Sequence, residues 1–199
     1  MMEIIVGTNN PGKLEEIKSS LSNRQITFIS YVDKLGRTVN FPETGTTFKE
    51  NAEEKAGNYA KYLKEPVLAD DGGLILEAFP TLLGLKTARF FTKDLTDSQK
   101  NQQLFNLMEN EKNRNLILHA TVSYVYPSGK VITVEEKLLG ELTTKEVGTL
   151  GYGFDRCIFL PQERKTLAEL SLPERNRFSP RVRALKKIIK LIEEEEDLL

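Results

Sequence analysis

The order of its apolar segments is the feature that most constrains how this 199-residue chain can fold. A short apolar run at 3–7 is followed by helical spacing over 14–21 and by a second short run at 26–31. Later, two long strand-type segments flank the turn-forming residues 127–129. Helices that alternate with strands early, and a long hairpin late, predict an α/β protein with a mixed central sheet and flanking helices. The length suits a single domain, residues 1–199.

Helix starts are marked by recognisable capping signals. Thr47 with Glu50, and Thr96 with Gln99, have the spacing of a capping box. Pro180 suits the first turn of a final helix. The polar, turn-rich residues 33–46 predict a loop. One apolar stripe of the final helix is formed by Val182, Leu185, Ile189 and Ile192.

The composition excludes several kinds of partner. The 28 basic and 29 acidic residues give a net charge of −1, so no large basic field is present to hold nucleic acid. No apolar run approaches the ~20 residues that span a bilayer. The start "MMEIIVG" lacks the long apolar core of a signal peptide, and the single Cys157 fits a reducing compartment. These features predict a cytoplasmic protein without a nucleic-acid or membrane partner.

The metal-binding residue types are also limiting. One histidine, His119, and one cysteine, Cys157, cannot build a zinc site of the usual kind. Any bound metal would therefore be held by carboxylates, which favours magnesium or manganese.

Two consecutive aspartates, Asp70 and Asp71, follow the apolar residues 67–69 and precede Gly72 and Gly73. Like charges so close are costly unless a cation or a proton lies between them. The glycines remove side chains, so another group can come close to the backbone. We interpret this segment as a site at the end of a buried strand. The alternative is an ordinary exit from a strand into a turn.

Two further acids could complete such a site. Taken singly, Glu43 in a loop and Glu50 near a helix start read as a surface acid and a helix cap. Beside Asp70 and Asp71 they could contribute oxygen ligands for magnesium. A metal on phosphate oxygens neutralises charge, and a nearby carboxylate can take a proton from water.

The loop at 7–14, "GTNNPGKL", nearly matches the pattern of a P-loop. Leu14 stands where a metal-binding hydroxyl is required, so a P-loop NTPase is the weaker reading. A polar loop before a helix remains a good anion site, with donors from Thr8 and Asn10 and the charge of Lys13. The alternative is a simple strand–helix connection with a solvated lysine.

Six segments in order resemble the inosine triphosphate pyrophosphatase family, from about residue 4 to residue 192. The resemblance implies two lobes around a cleft, a homodimer and magnesium dependence. It also implies hydrolysis of deaminated purine nucleoside triphosphates to the monophosphate and pyrophosphate. The segments are "TNNPGK", "ETGTTFKENAEEKA", "ADDGGL", "GTLGYGFDRCIFLP", "KTLAEL" and "ERNRFSPRVRAL".

The same resemblance assigns roles to individual residues. It implies that Asp71 is the catalytic acid and a metal ligand, with Asp70 and Glu43 as further metal ligands. Tyr152 stands where phenylalanine is usual, and its ring can still stack on a purine. Arg175 stands where lysine is usual. The residues implied to bind substrate are Thr8, Asn9, Asn10, Pro11, Gly12, Lys13, Gly72, Tyr152, Gly153, Phe154, Asp155, Arg175 and Arg181.

Two further positions depart from the family pattern, and both lose a polar group. Gly72 replaces a serine, so a hydroxyl is missing, and Pro180 replaces a histidine that donates to the purine. We expect Arg181 to carry most of the remaining preference for a 6-keto purine. The alternative is a nucleotide-binding protein with lost or altered specificity.

Overall fold

A computed structural model describes residues 2–21, 26–92 and 94–196 of the chain. Within these ranges, seven strands form one mixed sheet in the order β2-β1-β3-β4-β5-β6-β7. The strands are β1 (Met2–Val6), β2 (Ile26–Ser30), β3 (Val67–Leu76), β4 (Asn115–Val125), β5 (Val131–Leu142), β6 (Ile158–Leu160) and β7 (Lys165–Thr166). β1 runs parallel to β2 and β3, whereas β6 is antiparallel to β5 and β7. The predicted α/β class with a mixed sheet is confirmed.

The capping and proline signals correctly predict three helix starts, at Phe48, Asp97 and Pro180. The helices are α1 (Pro11–Ser20), α2 (Tyr31–Leu35), α3 (Phe48–Leu63), α4 (Thr87–Phe90), α5 (Asp97–Leu107), α6 (Leu172–Phe178) and α7 (Pro180–Glu196). Both capping boxes are present, at Thr47 before α3 and at Thr96 before α5. Among the described residues, no helix is long and apolar enough to cross a membrane.

The loop predicted over 33–46 is wrong at its start, because α2 occupies its first residues. The Ser30 hydroxyl accepts a hydrogen bond from the backbone of Val32 at 3.1 Å and so caps α2. Gly36 ends the helix in the left-handed conformation, at φ 67°. These two local signals outweigh the polar composition of the segment.

Strand β3 is longer than its apolar start predicts. Asp70 and Asp71 lie inside the strand, so their interpretation as a strand end, and the alternative of an exit into a turn, are both wrong. A Cβ atom at Gly73 would lie 2.3 Å from the carbonyl oxygen of Gly84. The glycine therefore permits a close backbone approach, which Thr87 Oγ1 completes by accepting from Leu74 N at 3.1 Å.

The chain divides into two compact units. The first comprises Met1–Gly72, Ala120–Glu136 and Pro180–Leu199. One of its cores joins β1, β2 and β4 to α1 and α7. The predicted apolar stripe of α7 is fully buried, and its residues Leu185, Ile189 and Ile192 belong to this core. A second core packs α3 with Tyr31 and Ile5.

The second unit comprises Gly73–His119 and Lys137–Ser179. Its core contains the end of β3, residues of α5, and β6 with the buried Cys157. The single domain over 1–199 and the cleft between two lobes stay predictions.

Candidate active site

Asp70 is the centre of a charged cluster in the first unit. Its side chain is fully buried, and its Oδ2 atom lies 2.9 Å from Lys13 Nζ and 2.9 Å from Arg181 Nε. Burial alone would raise the pKa of this carboxyl, but the two cations hold the pKa well below its usual range. Asp70 is therefore an ionised anchor that fixes both cations.

The loop before α1 positions Lys13. Asn10 is the N-cap residue, and its Oδ1 atom accepts from Lys13 N at 3.2 Å. Thr8 Oγ1 accepts from Asn10 N at 3.2 Å, and Pro11 supplies the first helical residue. The result is a helix N-terminus beside a lysine, an arrangement that binds anions such as phosphate.

The side chain of Asn9 forms hydrogen bonds with residues outside the loop before α1. Its side chain donates to Asn40 Oδ1 at 2.7 Å and accepts from the hydroxyl of Tyr31. These contacts tie the loop to the start of α2 and to the segment after it. Gly12 follows in the first turn of α1 and is half-buried.

Asp71 differs from Asp70 because its carboxylate is half-buried and contacts neutral donors. Its Oδ2 atom accepts from Asn51 Nδ2 at 3.0 Å, and its Oδ1 atom accepts from Gly72 N at 2.9 Å. Burial raises the pKa of Asp71 despite the nearby charge of Lys55. A carboxylate of raised basicity is suited to take a proton from water.

Sequence reasoning missed Lys55, which lies one turn after Asn51 on α3. Its Nζ atom donates to the backbone oxygen of Asp70 at 3.0 Å and lies 2.5 Å from Glu43 Oε1. Lys55 therefore brings Glu43 to the cluster. The four-residue spacing from Asn51 was a usable signal, because such residues share a helix face.

Sequence reasoning also missed Glu16. Its buried carboxylate lies 2.5 Å from Arg181 Nη1, at the opposite end of the chain. Arg181 is thus held by two carboxylates, those of Glu16 and Asp70. These contacts place Arg181 with Lys13 and favour a phosphate-side role over reading of the base.

Glu50 is a helix cap and does not join the cluster's contacts. Its Oε2 atom accepts from Thr46 N at 2.6 Å and from Thr47 N at 3.1 Å. Hydrogen bonds from Thr46 lower the pKa of this exposed carboxyl. The capping interpretation of Glu50 is confirmed.

The acids of the cluster suit a hard cation by donor type. Among the described residues, no three acidic, histidine or cysteine side chains already surround a common point. However, Asp70 Oδ1 is buried and has no hydrogen-bond partner. A bound cation satisfies such an oxygen, and with the carboxylates of Asp71 and Glu43 the donor set fits magnesium or manganese.

A second cluster lies in the second unit. Arg175 Nη1 lies 2.7 Å from Asp155 Oδ2, which also accepts from Tyr152 N at 3.0 Å. The guanidinium carbon of Arg175 is 5.5 Å from the centre of the Tyr152 ring. The predicted base-binding residues Tyr152, Asp155 and Arg175 are therefore brought together.

This second cluster depends on a close backbone approach. Gly151 has φ 78°, and a Cβ atom there would lie 2.1 Å from Asp155 Oδ2. Phe154 packs against Phe91, with ring centroids 5.8 Å apart. Arg175 is buried, yet its Nε atom has no hydrogen-bond partner, so one strong donor is left over for a ligand.

Taken together, the mixed sheet, the helix N-terminus with its two cations and the paired aspartates define an α/β protein whose candidate site suits an anionic ligand and a hard cation. The comparison with known proteins is specific. The chain belongs to the Ham1 family, whose model matches residues 4–191. The family resemblance drawn from the six motifs is confirmed.

Two relatives match over nearly their full length. The chain is 34% identical to a dITP/XTP pyrophosphatase of Halalkalibacterium halodurans, over 97% of this chain and 100% of the relative. It is 37% identical to a dITP/XTP pyrophosphatase of Aquifex aeolicus, over 96% of each chain.

Solved structures agree with this assignment. A HAM1 protein from Coxiella burnetii matches with a TM-score of 0.85 and 29% identity, over 98% of this chain and all of that one. The Ham1 protein of Staphylococcus aureus matches with a TM-score of 0.82 and 28% identity, over 97% and 99% of the two chains.

Proposed function

We propose that this protein hydrolyses deaminated purine nucleoside triphosphates, such as dITP, ITP and XTP, to the monophosphate and pyrophosphate. The observation that carries the proposal is the cluster in which Lys13 and Arg181 flank the buried Asp70, with Asp71 beside it. The names of the full-length relatives support the substrate class.

In the first unit, phosphate binding and proton transfer are assigned to different residues. The N-terminus of α1, Lys13 and Arg181 bind and orient the phosphates. Asp71 takes a proton from water, and the water oxygen forms a bond to the α-phosphorus. The anhydride bond between the α- and β-phosphates breaks. Pyrophosphate leaves with the bonding electrons, and the proton passes from Asp71 to solvent.

Magnesium is the proposed cofactor, with manganese as a substitute. Asp70, Asp71 and Glu43 would hold it. When bound, the ion supplies positive charge against the phosphate oxygens. Lys55 holds Glu43 and the backbone of Asp70, so it keeps these ligands in place.

The purine is proposed to contact the segment 152–155 and Arg175. The Tyr152 ring offers a surface for stacking, and the unsatisfied Nε atom of Arg175 is a donor for a 6-keto oxygen. This assignment supplies a donor despite Pro180, which has none. We also propose a cytoplasmic homodimer with a small-molecule nucleotide as its substrate.

A product assay tests the proposal. The protein is incubated with dITP, XTP, ITP and dATP in magnesium buffer, and the products are separated by anion-exchange chromatography. We expect pyrophosphate and the monophosphate from the deaminated nucleotides. Orthophosphate with a nucleoside diphosphate would indicate a γ-phosphatase instead, and binding without products would indicate a protein that has lost catalysis.

A further inference from the structure

Two side chains of α5 hold the segment that is proposed to contact the base. Asp97 Oδ2 accepts from Gly153 N at 2.7 Å, and Asn101 Nδ2 donates to Gly153 O at 3.3 Å. We propose that Asp97 and Asn101 are positioning residues for base recognition by residues 152–155. This inference rests on the proposed function of that segment.

The two hydrogen bonds fix two successive peptide groups. The N–H of Gly153 belongs to the peptide that follows Tyr152, and its carbonyl belongs to the peptide that precedes Phe154. The orientations of the Tyr152 and Phe154 rings therefore depend on these two peptide groups. Gly153 has φ 61°, and glycine gives little local preference for one backbone conformation. The conformation must be selected by contacts from outside the segment.

Asn101 is suited to hold Gly153 because both its amide nitrogen and its amide oxygen form hydrogen bonds. It is completely buried, and besides Gly153 O it donates to Glu146 Oε1 at 2.7 Å. Its Oδ1 atom accepts from Cys157 Sγ at 3.4 Å. A side chain with both donors and its acceptor engaged has one orientation, so it transmits the position of α5 to Gly153.

Asp97 is placed by the start of the same helix. The capping box of Thr96 and Gln99 fixes the first turn, in which Asp97 is the first helical residue. Its other oxygen lies 3.6 Å from Lys100 Nζ. Asp97 is exposed, so its removal leaves the core intact.

The test uses one variant of each residue. The buried Asn101 receives a substitution of the same size, and the substitution of Asp97 lies outside the core. Asn101→Asp keeps the shape but replaces the donor by a carboxylate that faces Glu146 and the carbonyl of Gly153. Asn106→Asp is the matched control, because Asn106 is exposed on the same helix and receives the same charge change. Asp97→Ala removes the acceptor for Gly153 N, and Lys100→Ala, which removes only the ion pair, is its control.

The measured quantities separate base recognition from phosphate binding. We expect Asn101→Asp and Asp97→Ala to raise KM and Kd for dITP roughly tenfold, with kcat changed much less, as loss of a positioning hydrogen bond predicts. The preference for dITP over dATP should fall in parallel. Inhibition by inorganic tripolyphosphate, which has no base, should be unchanged. Both controls should match the wild type.

Each outcome decides the matter. Equal changes in dITP affinity and tripolyphosphate inhibition would show a general structural defect and overturn the inference, as would unchanged dITP affinity in both variants. If Asn101→Asp does not fold, as judged by circular dichroism, the exposed Asp97→Ala variant decides alone. A wild type that binds dITP without releasing pyrophosphate overturns the proposed reaction only, because the comparison of Kd values still tests the positioning. A wild type that does not bind dITP overturns both.

Discussion

Asp70 and Asp71 are neighbours in β3, but their carboxylates meet different surroundings. Asp70 faces Lys13 and Arg181, which lower its pKa, whereas burial raises the pKa of Asp71. The partners cause this difference, because two cationic side chains contact Asp70, whereas Asn51 and the backbone of Gly72 contact Asp71. Asp70 is thereby suited to fix Lys13 and Arg181, and Asp71 is suited to accept a proton.

We therefore expect Asp71→Asn to lose nearly all turnover. The amide keeps the shape and can still accept from Asn51, but it is a poor base and a weaker metal ligand. The loss of kcat should be at least about 10²-fold, the lower range for general-base catalysis. Steady-state pyrophosphate release measures the loss, and circular dichroism verifies the fold. A variant that retains a third of the wild-type rate would assign the proton transfer to another residue.

A second residue-scale prediction separates Arg181 from Pro180. Because Arg181 contacts Asp70 and Glu16, Arg181→Ala should lower kcat/KM for ITP and ATP by similar factors. Pro180→His adds a donor at the position where the family has one, so it should raise the ITP/ATP ratio by about tenfold.

Both ratios are measured in the same magnesium buffer. A collapse of the ratio in Arg181→Ala would restore the base-reading role expected from the sequence. An unchanged ratio in a folded Pro180→His variant would make Arg175 the next residue to replace, because its Nε atom is the available donor.

At the scale of the element, α3 carries Asn51 and Lys55, and its start is fixed by one capping box. Thr47 Oγ1 accepts from Glu50 N at 3.0 Å, and Glu50 Oε2 accepts from Thr47 N at 3.1 Å. Thr47→Ala should lower the free energy of unfolding by about 0.5–2 kcal/mol. Urea denaturation measures this, with Thr47→Ser as the control that keeps the hydroxyl. Equal stability of the two variants would show that the cap contributes nothing.

The contact between β5 and α7 depends on pH. Burial would raise the pKa of Glu136, but hydrogen bonds from Lys187 and Arg183 outweigh it and lower the pKa below its usual value of 4.5. A lowered pKa in the folded state means that the ion pairs stabilise the fold above pH 4.5 and are lost as the pH falls below it.

Glu136→Gln should therefore cost about 0.2–1 kcal/mol at pH 7, the usual range for ion pairs with solvent-exposed cations, and clearly less at pH 3. Thermal or urea unfolding at both pH values measures the difference. Glu141→Gln, an exposed change on the same strand, serves as the control. A penalty that is the same at pH 3 and pH 7 would contradict the electrostatic explanation.

For the whole molecule, ligands of the native state should raise the melting temperature. Magnesium with pyrophosphate at about 100 times its Kd adds about 2.7 kcal/mol, which corresponds to a rise in Tm of roughly 5–10 °C. Differential scanning fluorimetry measures the shift, with EDTA in place of magnesium as one control. The Lys13→Gln variant should lose most of this rise in melting temperature. An undiminished rise in that variant would show that pyrophosphate binds away from Lys13.

The sequence by itself determined the sheet class, both capping boxes, the buried stripe of α7 and the family. These features rest on local patterns, because periodicity and caps act over a few residues. The motif residues Lys13 and Asp70 could also be named from the sequence, and the structure brings them to 2.9 Å. The roles of Tyr152, Asp155 and Arg175 came only from the family resemblance.

The tertiary structure alone decided which charges meet. Glu16 and Arg181 are 165 positions apart, yet they form an ion pair, and Asn101 reaches Gly153 across 52 positions. The extension of β3 through Gly73 likewise depends on the approach of Gly84 and Thr87. Such contacts depend on how distant elements pack, and a single sequence carries no local pattern for them.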